Sequence, residues 1–126
     1  MSTHYLHTKL RVHDLEAGIR FYQEAFGYEL RKRKPGPEGS EIAFVSLPGD
    51  QTELQLAYYP DGDAFEVPAL MLHIALKVSD VEAAVASAVK AGATLRSGPY
   101  ALPSGSRVAF VRDLDGYDLE LIQKSE

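Results

Sequence analysis

Polar and apolar residues alternate with period two through HTKLRV, residues 7–12, and again through HIALKV, residues 73–78. That period predicts a strand at each place. The period then lengthens. Leu15, Ile19, Tyr22 and Phe26 recur at helical spacing, as do Val81, Val85, Ala88 and Val89. Asp14 and Asp80 stand where helix N-caps belong, Glu16 and Glu82 lie in the first turns, and Gly27 and Gly92 close the helices. Strand-like runs follow in each half: YELRKR, EIAFVSL and TELQLAYY in the first, ATLRS, SRVAFVRD and YDLELIQ in the second. PGD at 48–50 and LDG at 114–116 separate the last two strands of each half as tight turns. The segment RKRKPGPEGSE, 31–41, reads as an extended, solvated connection, with a place beside a ligand as the alternative.

The two halves are copies. LHTKLRVHDLEA at 6–17 returns as LHIALKVSDVEA at 72–83, and AFV at 43–45 returns at 109–111, in both cases 66 residues on. FGYEL at 26–30 and AGATL at 91–95, like LQL at 54–56 and LEL at 119–121, stand 65 apart. Four stretches matching at a shift of 65–66 define a duplicated β-α-β-β-β unit. The expected fold is α+β: two pseudo-symmetric modules, about 4–60 and 70–124, forming a cupped mixed sheet in a single domain over 1–126.

Composition alters this picture little. The chain has 126 residues, 45% hydrophobic and 25% charged, as in an ordinary globular domain. Cys is absent, which removes disulfides and thiolate chemistry. The net charge of −5 argues against nucleic acid as a partner. With no membrane-length apolar run and no signal-peptide pattern, a cytoplasmic protein away from membranes is expected.

Alternation places His7, Lys9 and Arg11 on one face of the first strand, and His73, Ala75 and Lys77 on one face of its copy. Glu53, Gln55 and Ala57 share a face, as do Asp118, Glu120 and Ile122. A single strand histidine is more often a hydrogen-bonded packing residue than a ligand. Symmetric histidines beside symmetric polar residues are harder to explain by packing. His7 with His73, and Gln55 with Glu120, supply two imidazoles, an amide oxygen and a carboxylate, a set suited to a divalent ion with room for water. Glu53 reads as a strand-edge charge and the reserve ligand if Gln55 is not used. His4 and His13 have no repeat partner and read as surface residues.

LHTKLRVHDLEAGIRFYQEAFGYEL, LHIALKVSDVEAAV and AFVRDLDGYDLELIQ resemble the opening, middle and closing motifs of the vicinal oxygen chelate superfamily, closest to its glyoxalase I (lactoylglutathione lyase) type. The resemblance covers nearly the whole chain. It implies a metal site from His7, Gln55, His73 and Glu120, one divalent ion per site (Ni, Co, Zn, Mn or Fe), and a homodimer with sites at the subunit interface. It implies a small-molecule substrate, the hemithioacetal of methylglyoxal and glutathione or another thiol, with Glu120 as the catalytic base. Arg11 matches a glutathione-binding arginine, and Tyr59 stands where the family has a substrate-holding Asn. Gln55 stands where the family usually has Glu, and Leu72 where it has Gly. Two rival readings remain. His7, His73 and Glu120 alone form the two-His, one-carboxylate pattern of an iron dioxygenase. A non-catalytic small-molecule binding protein would need no metal.

Overall fold

Asp14 and Asp80 start the two helices as capping residues: their carboxylates accept hydrogen bonds from the backbone N–H of Ala17 and Ala83 at 3.0 and 3.1 Å. The computed structural model describes residues 1–125. The chain forms two compact units, one over Met1–Ala64 and one from Phe65 onward. The first contains β1 (His7–Arg11), α1 (Leu15–Phe26), β2 (Glu29–Pro35), β3 (Glu41–Ser46) and β4 (Glu53–Tyr58). The second contains β5 (His73–Lys77), α2 (Val81–Ala91), β6 (Thr94–Ala101), β7 (Arg107–Arg112) and β8 (Asp118–Gln123). Both are β-α-β-β-β, as the repeat predicts, and the fold is α+β.

Each unit has its own four-stranded mixed sheet, ordered β1-β4-β3-β2 and β5-β8-β7-β6. The first and last strands of a unit pair in parallel, and the remaining pairs are antiparallel. The AFV copies occupy like places. Ala43 and Ala109 face Leu56 and Leu121, and Phe44 and Phe110 face Gln55 and Glu120.

One face of each sheet is covered by its helix. Leu10, Leu54, Leu56, Ala43 and Val45 are buried and share the α1 side by alternation. The stripe Leu15, Ile19 and Tyr22 packs there, and Gly27, at φ 79°, ends the helix in the left-handed conformation glycine adopts without strain. The second helix is built of Ala and Val and covers less. Val81 and Ala88 are buried, but Val89, expected on the same stripe, is exposed. It follows Ala88 directly, so it points about 100° away from that buried position.

Two strands run further than predicted. β2 runs past the YELRKR stretch to Pro35, into the segment read as a connection, pairing with β3 as far as Glu41, and the chain turns over Pro37–Gly39. β6 extends past Ser97 to Ala101 through Gly98 and Pro99. Both are edge strands, where a proline's missing N–H breaks no ladder on the open side. The 114–116 turn hangs on Asp113, whose carboxylate accepts from the N–H groups of Asp115, Gly116 and Tyr117.

Candidate metal centre

The sheet face opposite each helix carries the polar residues. In the first unit, β1 and β4 run in parallel with His7 beside Glu53 and Lys9 beside Gln55. Gln55 is buried, and its amide lies 3.4 Å from His7 Nδ1. In the second, β5 and β8 place His73 Nε2 3.3 Å from Glu120 Oε1, with the Glu120 side chain 21% exposed. Within each unit one of the expected histidines therefore meets one of the expected partners, His7 with Gln55 and His73 with Glu120.

Beneath each imidazole lies a ring the sequence reading did not single out. Phe44 meets His7 edge-on at 6.5 Å between centroids, and Phe110 meets His73 edge-on at 5.7 Å. The signal was present, since these are the central residues of the repeated AFV. Each ring fixes the plane of a histidine that is otherwise exposed.

Separations of 3.3 and 3.4 Å suit two donors sharing one cation. Ligand atoms about 2.1 Å from a common ion, at right angles, are about 3 Å apart. The donor chemistry also fits a first-row divalent ion: imidazole, carboxylate and, after an amide flip, the Gln55 oxygen. Within either unit, among the described residues, no group of three or more His, Cys, Asp or Glu could hold an ion. Each unit thus offers a pair of donors rather than a complete shell. His4 and His13 are exposed, as expected, and Glu53 is only partly exposed beside His7.

Further along β1 the same face opens into a cleft of about 540 Å³ lined by Lys9, Arg11, Tyr59, Glu38, Asp61 and Asp63. Lys9 Nζ donates to the Tyr59 hydroxyl at 2.5 Å, and Arg11 donates to the Asp63 carbonyl at 2.6 Å. Both cations also lie over the Tyr59 ring, at 5.1 and 5.6 Å. Arg11 and Tyr59, the two expected substrate contacts, therefore border one cleft. In the second unit Asp118, buried beside Glu120 on the same face, is held by Arg96 at 3.0 Å and Arg112 at 3.4 Å.

The family model of the Glyoxalase/Bleomycin resistance protein/Dioxygenase superfamily matches residues 4–121. The lactoylglutathione lyase of Neisseria meningitidis serogroup A is 39% identical over 126 residues, covering 94% of this chain and 89% of that protein. The enzyme of the same name from Escherichia coli O157:H7 is 37% identical over 128 residues, covering 96% and 93%. Among solved structures, glyoxalase I from Zea mays superposes with TM-score 0.83 at 29% identity, covering 97% of this chain. The chain spans 45% of the length of that maize chain. The trypanothione-dependent glyoxalase I of Leishmania major gives TM-score 0.80 at 32% identity, covering 98% of this chain and 88% of its own. TnmS3, an antibiotic binding protein from Streptomyces sp. CB03234, gives TM-score 0.76 at 29% identity with 98% of both chains covered.

Proposed function

Because this chain belongs to the glyoxalase/bleomycin resistance protein/dioxygenase superfamily, we propose that it is a metal-dependent lactoylglutathione lyase. Its substrate is the hemithioacetal of methylglyoxal and glutathione, or of another thiol, and its setting is the cytoplasm. The observation that carries this reading is the pair of equivalent contacts, His7 with Gln55 and His73 with Glu120. The four residues together hold one divalent cation, in a homodimer whose sites lie at the subunit interface. When bound, the cation supplies Lewis-acid stabilisation of charge developing on the substrate oxygens.

The chain's own residues do the rest. The reaction is an isomerisation: a proton leaves the carbon bearing sulfur and arrives at the neighbouring carbonyl carbon, while the hydroxyl proton passes from the first carbon's oxygen to the second's, turning the hemithioacetal into a 2-hydroxyacyl thioester. Glu120 is the one carboxylate of the four donors, so it takes the proton and returns it. The Gln55 amide cannot accept a proton at neutral pH and serves only to bind and orient. Replacing a carboxylate with this amide leaves the four donors with a total charge of −1, all of it on Glu120. Arg11 and Lys9 hold a carboxylate of the thiol in the cleft beside His7.

Purified protein loaded in turn with Ni, Co, Zn or Mn is given methylglyoxal plus glutathione, and thioester formation is followed. Turnover that chelation removes and metal restores supports the reading. Absence of turnover with every metal sinks it. The likeness to TnmS3 over 98% of both chains favours a second reading, a small-molecule binding protein. Tight ligand binding that is indifferent to chelation and unaccompanied by turnover would select it.

A further inference from the structure

The first unit places four side chains in one row across its sheet. Lys9 on β1 faces Gln55 on β4, Gln55 faces Phe44 on β3, and Phe44 faces Lys32 on β2. Directly paired residues point to the same side, so this row crosses the face that carries His7. With strands about 4.8 Å apart it spans roughly 14 Å. Lys32 Nζ lies 4.7 Å from the centre of the Phe44 ring and Lys34 Nζ lies 5.4 Å from it. These ammonium groups are gathered over the aromatic floor of the face, although every residue of β2 is exposed.

The duplicated unit supplies an internal control. Arg96 lies over Phe110, the copy of Phe44, at 5.0 Å. Its charge is already answered, because it pairs with the buried Asp118 at 3.0 Å. On β2, Arg31 and Arg33 pair with Glu29, Glu16 and Glu41. Among the described residues neither Lys32 nor Lys34 forms an ion pair, and both are left with an aromatic contact alone. A cation–π contact orients an ammonium group while leaving its positive charge unneutralised.

The order along the row has a chemical consequence. The Lys9 and Arg11 cleft, assigned above to the thiol, lies at one end. Gln55, in contact with His7, comes next, and the lyase reading puts the reacting carbons there. Phe44 and Lys32 lie at the other end of the row from Lys9, and Lys34 lies across the sheet from Arg11. A hemithioacetal laid along this row puts its thiol at Lys9 and Arg11 and the side chain of its aldehyde over Phe44. We propose that Lys32 and Lys34 select 2-oxoaldehydes whose side chain ends in an anionic group. Methylglyoxal is then a small substitute for a larger acidic substrate. This inference rests on the lyase reading.

The test compares phenylglyoxal with 4-carboxyphenylglyoxal, both with glutathione, on the metal-loaded dimeric protein. The two share a ring to stack on Phe44 and differ by one carboxylate. The expected result is a kcat/KM for the carboxylate substrate roughly five- to tenfold higher, carried by KM and shrinking as salt is raised. Lys32→Gln/Lys34→Gln should bring the ratio close to one, and Lys32→Glu/Lys34→Glu should invert it. Lys90→Gln, on α2 in the other unit, removes a charge without changing the ratio. Turnover of both aldehydes at equal kcat/KM by the unaltered protein overturns the inference and leaves the lyase reading standing. A preference that survives Lys32→Gln/Lys34→Gln overturns it as well. Failure to turn over any hemithioacetal, methylglyoxal's included, overturns both.

Discussion

Glu120 and Gln55 occupy equivalent places and differ by one proton-accepting oxygen, which makes them the most informative pair to exchange. Glu120→Gln should lower kcat by about 10²–10⁴, the usual weight of a positioned acid–base group, while metal affinity falls only in part. Gln55→Glu should fold and turn over, and should bind the cation more tightly because it adds a charge beside it. Equilibrium dialysis of the metal, run beside thioester kinetics, checks both; full activity in Glu120→Gln would remove it as the base. A second residue reports on stability. Burial, and then the charge of Asp50, raise the Tyr28 phenol to about 12 from its ordinary 10. The folded state therefore favours the neutral phenol. That contribution is complete below pH 10 and is lost as pH rises from 10 to about 12. The shift corresponds to about 2–3 kcal/mol. Urea denaturation from pH 9 to 12 should show a steeper loss of stability in the parent chain than in Tyr28→Phe, and equal slopes would refute the assignment.

At the scale of elements, the turns and caps carry sharp expectations. Asp113 is buried and accepts three backbone N–H bonds, so Asp113→Ala leaves those donors without their anion. A loss of about 2–3 kcal/mol is expected in a urea unfolding series. Asp80→Ala, removing a single exposed cap bond to Ala83, should cost about 1 kcal/mol. Both helices, their caps and the order of strands were legible in the sequence because local periodicity and capping chemistry decide them. The continuation of β2 to Pro35 and of β6 to Ala101 was not. Gly and Pro read as loop signals, and only the sheet order reveals that both strands lie on an edge that tolerates them. The extension of β2 is what brings Lys34 onto the sheet, and the register of β2 with β3 is what sets Lys32 opposite Phe44; local pattern decides neither. Symmetry singled out His7 with His73 and Gln55 with Glu120 as equivalents, and the parallel pairing of first and last strands is what brings His7 to Gln55 and His73 to Glu120. It could not reveal that Phe44 and Phe110 support the imidazoles. Identical apolar letters in a repeat read first as core, and these two rings lie on the polar side of their sheets.

For the molecule as a whole, duplication poses a question of stoichiometry. Each unit carries two candidate donor side chains in contact, and within either unit no group of three or more His, Cys, Asp or Glu could hold an ion among the described residues. Two donors bind a first-row ion weakly, because half or more of its shell remains water. Four donors acting as one site would bind it more tightly, so the joint reading predicts one tightly held ion per chain and the separate reading predicts two weak ones. Ligand binding raises the stability of the folded state by RT ln(1 + [L]/Kd), so a cation at 100 times its Kd adds about 2.7 kcal/mol. That gain is visible as a rise in Tm without any assay of activity. In the joint site, His7→Ala and His73→Ala each remove the whole metal-dependent rise, although the two residues belong to different units. In separate sites each variant keeps the half it did not touch. Calorimetric titration of the parent chain with Ni or Co, followed by melting of both variants with and without metal, decides the matter. One ion per chain and a rise abolished by either substitution is the expected outcome. Two ions per chain, or a rise that persists in either variant, would mean that the duplicated units do not share their metal.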